Sequence, residues 1–438
     1  MNVVLISTYD LGHQPFGLAS PAAWLREQGH EVTCVDLAIN PLPSLAIRDA
    51  GVIAFFVPMH TATRLAADVI PRVRSLNANA RLIAYGLYAP SNAQYLHELG
   101  VECVIGGEFE SALAEAVSSP AKDTVSLERL PFRVPDRATL PVLGRYGKLR
   151  VNGSAKTVGY TEASRGCKHL CRHCPVVPVY KGTFRVVPRE IVLEDVRRQV
   201  RAGAGHITFG DPDFFNGPTH AIRIVTAMHE EFPSLTYDAT IKVEHLLRHQ
   251  EHLAELRRTG CLFVTSAVES LDDSVLARLD KGHTRADFLE AVRLVREAGL
   301  VLAPTFIPFT PWTTREQYQD LLRTLASSQL IDNTCSIQLA LRLLVPPGSL
   351  LLELPEMSRY LTHFDKEALL HRWKHPDPAI DALAADVLAL VANQQKQGRT
   401  RREIFASVWE LVHGAPPREE FDLLPRAVIP YMDEPWYC

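Results

Sequence analysis

The chain has 438 residues, 47% hydrophobic and 22% charged, with eight cysteines and a formal net charge of -4. That balance is ordinary for a soluble globular protein and holds no basic surplus of the kind that nucleic-acid binding draws on. No apolar run approaches the roughly 18 to 20 residues of a membrane helix, and the opening Met1-Asn2-Val3-Val4-Leu5-Ile6 reads as a short strand rather than a secretion signal, so a cytoplasmic protein is expected.

At about 100 to 200 residues per domain, the length predicts two to four domains. In residues 1–120, short apolar strands at 3–7, 31–36, 52–57, 81–85 and 103–106 alternate with helical patterns such as 21–28 and 61–76. Such alternation implies right-handed crossovers and a doubly wound parallel sheet, whose ligands sit at the carboxyl ends of the strands. Residues 121–152, with Pro131, Pro135 and Pro141, lack a sustained period and read as a linker. A second alternation fills 153–345, with strands expected at 157–161, 206–210, 236–242, 262–267, 301–307 and 336–339. Six such units predict a partial (β/α)6 TIM-like barrel with its chemistry at the strands' carboxyl ends. Beyond Pro346-Pro347-Gly348, residues 346–438 read as a helical extension, with helical periodicity at 379–395 and 401–413.

Eight unevenly spaced cysteines do not form a disulfide framework. Cys34, Cys103, Cys261 and Cys335 lie in apolar or strand-like surroundings and read as core residues. Three others fall within eight residues, in Arg165-Gly166-Cys167-Lys168-His169-Leu170-Cys171-Arg172-His173-Cys174-Pro175. Spacings of three and two let one loop wrap three thiolates around three irons of a cubane and leave the fourth iron open. The alternative is a zinc ion held by the three thiols and either His169 or His173. Against it, zinc sites usually use cysteine pairs well separated in sequence, and this loop begins a barrel pattern.

The CxxxCxxC loop, with the strands that follow it over roughly 157–345, resembles the radical S-adenosylmethionine (SAM) superfamily. The resemblance implies an enzyme with a 4Fe-4S cluster on Cys167, Cys171 and Cys174, SAM chelated at the open iron, and a small-molecule substrate. It also implies a reductant such as flavodoxin or ferredoxin, while composition and hydropathy give the expectation of no nucleic-acid or membrane partner. The family's Gly-Gly-Glu turn, which holds the SAM amino group, corresponds to Phe209-Gly210-Asp211-Pro212-Asp213. The turn departs from that pattern; Asp211 or Asp213 would accept from the amino group, with loop capping as the alternative. The family's polar strand end matches Thr265-Ser266-Ala267-Val268-Glu269, which assigns Ser266 and Glu269 to SAM. Lys242, close to Glu244, would pair with the SAM carboxylate, and Ile307 begins a segment that would back the adenine.

The loop from Asp10 to Gly17, the strand that follows Gly29, and Gly106-Gly107-Glu108-Phe109-Glu110 resemble the cobalamin-binding-domain class of the same superfamily. This makes cobalamin a possible cofactor, with a relic or substrate-lid role as the alternative. The family's histidine-ligating proteins carry Asp-x-His-x-x-Gly. Here His13 follows Asp10 by three residues and Gly17 follows His13 by four, so a His13–cobalt bond is not expected. The ending Tyr431-Met432-Asp433-Glu434-Pro435-Trp436-Tyr437-Cys438 resembles the tail of a radical SAM group ending in Cys-Cys-Ala-Glu-Pro or Cys-selenocysteine-Ala-Glu-Pro. On that resemblance Cys438 is a candidate thiol ligand for substrate, and the reaction becomes transfer of the 3-amino-3-carboxypropyl group of SAM to trivalent arsenic, as in arsinothricin synthesis. A free terminal cysteine is the plain alternative. Cobalamin-dependent methylation and hydrogen abstraction by a 5'-deoxyadenosyl radical are alternative reactions, and a non-catalytic metal or cobalamin sensor is the rival outside enzymes.

Overall fold

The computed structural model describes residues 1–417, 421, 423 and 429–433. Cys438 lies outside the described residues. Strands β1 (Asn2–Ser7), β2 (Glu31–Asp36), β3 (Val52–Phe56), β4 (Arg81–Tyr85), β5 (Cys103–Gly107) and β6 (Thr124–Ser126) form one parallel sheet in the order β2-β1-β3-β4-β5-β6. Every residue of β3, Val-Ile-Ala-Phe-Phe, is buried, because helices cover both faces of a parallel sheet and leave no strand face to water. β6 extends this sheet into the stretch expected to be a linker.

The second sheet begins with an antiparallel pair, β7 (Lys148–Val151) and β8 (Ser154–Thr161). A short pair, β9 (Ser164–Gly166) with β10 (Phe184–Val186), follows and closes residues 167–183 into a loop. Then come β11 (His206–Phe209), β12 (Thr236–Thr240), β13 (Cys261–Glu269) and β14 (Val301–Phe306), which continue in parallel from β8. The five parallel strands make a curled half-barrel. Side chains alternate with the pleat: Phe209, Tyr237, Val264 and Leu302 enter the core behind the sheet, while Thr208, Asp238, Thr265 and Ala303 line the lumen.

The sixth expected strand is different. Residues Ser336–Leu339 form a 3-10 turn, and the pairing there is a single bridge between Phe309 and Arg342. Side-chain amides take over the edge of β14: Gln338 Oε1 accepts from Phe306 N at 3.0 Å, and Asn333 Nδ2 donates to Leu302 O at 2.7 Å. An edge satisfied in this way does not recruit a further strand.

The remaining region combines an antiparallel pair, β15 (Leu361–Asp365) and β16 (Leu370–Trp373), with helices Pro378–Lys396 and Arg401–His413. β17 (Tyr431–Asp433) returns to pair with β7 at the barrel edge. We propose the division 1–120, 121–152, 153–345 and 346–438 as the functional units. No helix among the described residues is long and apolar enough to cross a membrane.

Candidate active site

The cysteine loop leaves the carboxyl end of β8 through β9. Gly166 has φ +71°, and a side chain there would stand 2.4 Å from Thr183 O and from the Tyr180 ring, so only glycine allows the loop to close before Cys167. Cys167 and Cys171 are buried and Cys174 is half-buried. Cys174 N donates to Cys171 O at 3.0 Å, which makes a tight turn between the last two thiols. Lys242 Nζ lies 3.9 Å from Cys171 Sγ and brings a cation to the loop from the end of β12.

Burial, with Cys171 and Cys167 adding to it, pushes the Cys174 thiol up to about 12. Such a thiol becomes a thiolate when metal charge compensates it. A single zinc would hold three sulfurs about 3.8 Å apart, from the roughly 2.3 Å Zn–S bond and tetrahedral angles. Among the described residues, however, the set of His, Cys, Asp or Glu ligand atoms lying within 4.8 Å of one another is His169, Asp213 and His245, not the cysteines. The three thiols are not among the groups already gathered to within 4.8 Å of one another. Their CxxxCxxC spacing suits a multi-iron cluster.

The expected SAM contacts divide into two groups. Lys242 and Glu269 stand beside the loop: His173 Nε2 is 3.1 Å and Lys281 Nζ 3.5 Å from Glu269 Oε1. Burial works to raise the Glu269 carboxyl, but Lys281 and His173 outweigh it and hold it at about 2. Glu269 also carries φ +69°, a strained position for a residue with a side chain, at an irregularity between β13 and β14. Ile307 N donates to Glu269 O at 2.9 Å and so holds this strand end from the next strand.

The other expected contacts are held by protein partners, with Asp211 in the lining of the lumen cavity and Asp213 3.7 Å from His169 of the loop. Asp211 is tied back to the β8–β9 connection, accepting from Ala163 N at 2.9 Å and Ser164 Oγ at 2.5 Å, and burial pushes it up to about 7. Asp213 Oδ1 accepts from Phe215 N at 3.2 Å, and its Oδ2 lies against His245. The Phe209 ring belongs to the core with Phe214 and Tyr237, leaving its backbone and that of Gly210 at the lumen. Ser266 is fully buried on the same face of β13 as Val264 and Val268, so Thr265 is the lumen residue. A one-residue step on a strand reverses the face.

Sequence reasoning missed Lys281, His283 and Arg165. Lys281 and the buried His283 flank Gly282, where a side chain would stand 2.8 Å from Glu244 Oε2; a Lys-Gly-His run after a helix is the only trace they leave in the sequence. Arg165 joins the two sheets. It lies 3.3 Å from Glu108, 2.7 Å from Glu110 and 2.7 Å from Glu162, and Tyr180 Oη donates to Glu108 at 3.0 Å. Glu108 and Glu110 follow β5 of the first sheet, Glu162 follows β8, and the arginine opens the cysteine loop.

Cavities of about 360 and 190 Å3 lie between the facing carboxyl ends of the two sheets. The larger runs into the barrel lumen past Asp10 and His13, whose ring sits 5.0 Å from Tyr160. Burial, aided by Asp36 and Glu162, pushes Asp10 up to about 8, and burial brings His13 down to about 4. Drug-sized ligands occupy roughly 300 to 1,000 Å3. Phe56, Tyr85 and Phe109 pack against one another at the first sheet's edge, at centroid distances of 5.1 to 6.0 Å, and Phe56 and Phe109 line the smaller cavity.

Comparison with known proteins agrees with this architecture. Residues 161–325 match the family model of the Radical SAM superfamily, and residues 2–117 match that of the B12 binding domain. The radical SAM match implies a 4Fe-4S cluster and SAM, and the B12-binding match makes cobalamin a possible ligand. The chain is 24% identical over 331 residues to hopanoid C-3 methylase of Methylococcus capsulatus, covering 70% of this chain and 63% of that one. It is 22% identical over 323 residues to anaerobic magnesium-protoporphyrin IX monomethyl ester cyclase of Synechocystis, covering 67% and 64%. It thus spans a little under two thirds of the length of these relatives. Among solved structures it is similar in fold to the cobalamin-dependent SAM radical enzyme OxsB, with TM-score 0.69, 15% identity and coverage of 89% and 66%. It is likewise similar to the radical SAM methyltransferase TsrM from Kitasatospora setae, with TM-score 0.66, 15% identity and coverage of 89% of both chains.

Proposed function

We propose, for a chain that belongs to the radical SAM superfamily and carries a B12-binding domain ahead of its barrel, that it cleaves SAM reductively and alkylates a small molecule held in the barrel lumen. The observation that carries this reading is the cysteine loop. Its three thiols, at the spacing CxxxCxxC, share the carboxyl end of the barrel with Lys242 and Glu269. Cys167, Cys171 and Cys174 would hold the cluster, which when reduced supplies the electron that breaks a carbon–sulfur bond of SAM.

The chain's own residues supply charge, position and dryness. Lys242, 3.5 Å from Glu244 and buried, offers its remaining hydrogens to a carboxylate such as that of SAM. Glu269, ionised at neutral pH, accepts from hydroxyl or ammonium groups and is held in place by His173 and Lys281. Thr208, Thr240, Thr265 and Thr305 give the lumen hydroxyls that suit a small polar substrate. The first domain covers the mouth and keeps water from a carbon radical.

Two transfers fit this reading. Methyl transfer is favoured by the B12-binding match and by similarity to hopanoid C-3 methylase. Aminocarboxypropyl transfer to trivalent arsenic rests on the tail resemblance alone. Mass analysis of SAM products from the reconstituted, reduced protein separates them: S-adenosylhomocysteine marks methyl transfer, methylthioadenosine marks aminocarboxypropyl transfer, and 5'-deoxyadenosine alone marks hydrogen abstraction. Absence of SAM cleavage overturns the reading.

A further inference from the structure

Beside the cysteine loop lies a second group of ligating side chains. His169 comes from the loop itself, Asp213 from the turn after β11, and His245 from the helix Val243–Arg248 that follows β12. His245 Nδ1 is 2.6 Å from Asp213 Oδ2, His169 Nε2 is 3.7 Å from the same oxygen, and the two Nε2 atoms are 3.2 Å apart. Asp213 and His245 are wholly buried, and His169 is half-buried.

A buried carboxylate and imidazole at 2.6 Å would ordinarily be hydrogen-bonded. Here they are not. Asp213 Oδ2 and His245 Nδ1 both lack a partner with hydrogen-bonding geometry despite their closeness. Leaving such atoms unsatisfied costs about 1 to 3 kcal/mol each, more for a charged group. With the imidazole nitrogen unprotonated, both atoms have a lone pair to offer a common cation.

The neighbours fit that arrangement. Glu244 Oε2 lies 3.6 Å from His169 Nδ1, on the far side of the ring from the converging atoms, where a carboxylate orients a metal-bound histidine. The same carboxylate faces Lys242 Nζ at 3.5 Å and offsets its charge next to the site. Two imidazoles and one carboxylate, with a position left for water, are a donor set suited to zinc(II) and equally to iron(II).

We propose that His169, Asp213 and His245 bind one divalent transition-metal ion that clamps the cysteine loop to the barrel. His169 stands between Cys167 and Cys171, so the clamp would fix the first two thiols relative to β11 and β12. The ion would be separate from the iron–sulfur cluster and from any ion on the cysteines.

The test uses the full chain reconstituted anaerobically with iron and sulfide, incubated with zinc(II) and passed through a desalting column. The expected result is one zinc retained per chain in addition to cluster iron, with an X-ray absorption shell of nitrogen and oxygen only. His245→Gln and Asp213→Asn should weaken zinc retention by about 10- to 100-fold or more while iron and sulfide persist. If either variant fails to fold, His169→Gln, at the loop's edge, carries the same measurement. Zinc with a sulfur shell, no zinc retained by the parent protein, or unchanged retention in the folded variants would overturn the proposal.

Discussion

The two parallel sheets face each other by their carboxyl ends, where open α/β sheets and barrels place ligands, yet they finish those ends in opposite ways. The first sheet closes its edge with aromatic rings. Phe56 lies where a side chain at Gly17 would be, 2.1 Å away, and Tyr85 donates to Gly17 O at 2.9 Å. The second presents threonines and Asp238 to a cavity of about 360 Å3. The same fold class thus ends in two different surfaces, set by side-chain volume and polarity at the strand ends. The first sheet's edge is thus ringed by aromatics, and the second's by hydroxyls and a carboxylate.

Removing the metal from the second edge should have the largest effect. Cys167→Ala, Cys171→Ala and Cys174→Ala together are expected to abolish cluster iron and SAM cleavage, measured by iron analysis and product formation, with the far-ultraviolet spectrum retained. Full activity in that variant would remove the distinction between the two edges.

Separating the edges comes next. Arg165→Ala leaves Glu108, Glu110 and Glu162 without their shared cation, and breaking a buried ion pair from one side costs about 3 to 5 kcal/mol. Urea unfolding should show this loss, and a change under about 1 kcal/mol would mean that the sheets hold together by other contacts.

A smaller effect is pH-dependent. Asp10, at the cavity between the edges, has its carboxyl raised to about 8, so the folded state keeps a proton that the unfolded chain releases near 3.8. This contribution is fully present below about pH 4 and is lost as pH rises through about 8. Asp10→Asn should therefore flatten the decline of stability between those values; an unchanged slope would place the titration elsewhere, with the likewise raised Asp36 as the neighbour to test. The smallest change tunes the aromatic edge alone: Tyr85→Phe removes the bond to Gly17 O and should cost about 1 to 3 kcal/mol in thermal or urea unfolding. Retained stability would show that ring contacts suffice.

Much of this was legible in the sequence where a local pattern carries the physics. Strand and helix periods marked both sheets, and three cysteines in eight residues marked the loop. What was hidden depends on distance or parity. The assignment of Ser266 rather than Thr265 turns on which face of β13 meets the lumen, and the irregular end near Glu269 disturbs any count from that end. Residues 336–339 carry a strand-like composition, but Gln338 and Asn333 satisfy the β14 edge through their side chains, which composition does not reveal. Arg165 stood in the quoted loop, but its role emerges only when Glu108 and Glu110, more than fifty residues earlier, fold against it.

The central claim is that Cys167, Cys171 and Cys174 hold a cluster with one iron open to SAM. Low-temperature electron paramagnetic resonance of the reconstituted, reduced full chain, before and after SAM is added, tests it most directly. A 4Fe-4S signal whose shape changes with SAM is the predicted result. Bound zinc with sulfur neighbours and no cluster signal would contradict the account and return the loop to a structural role.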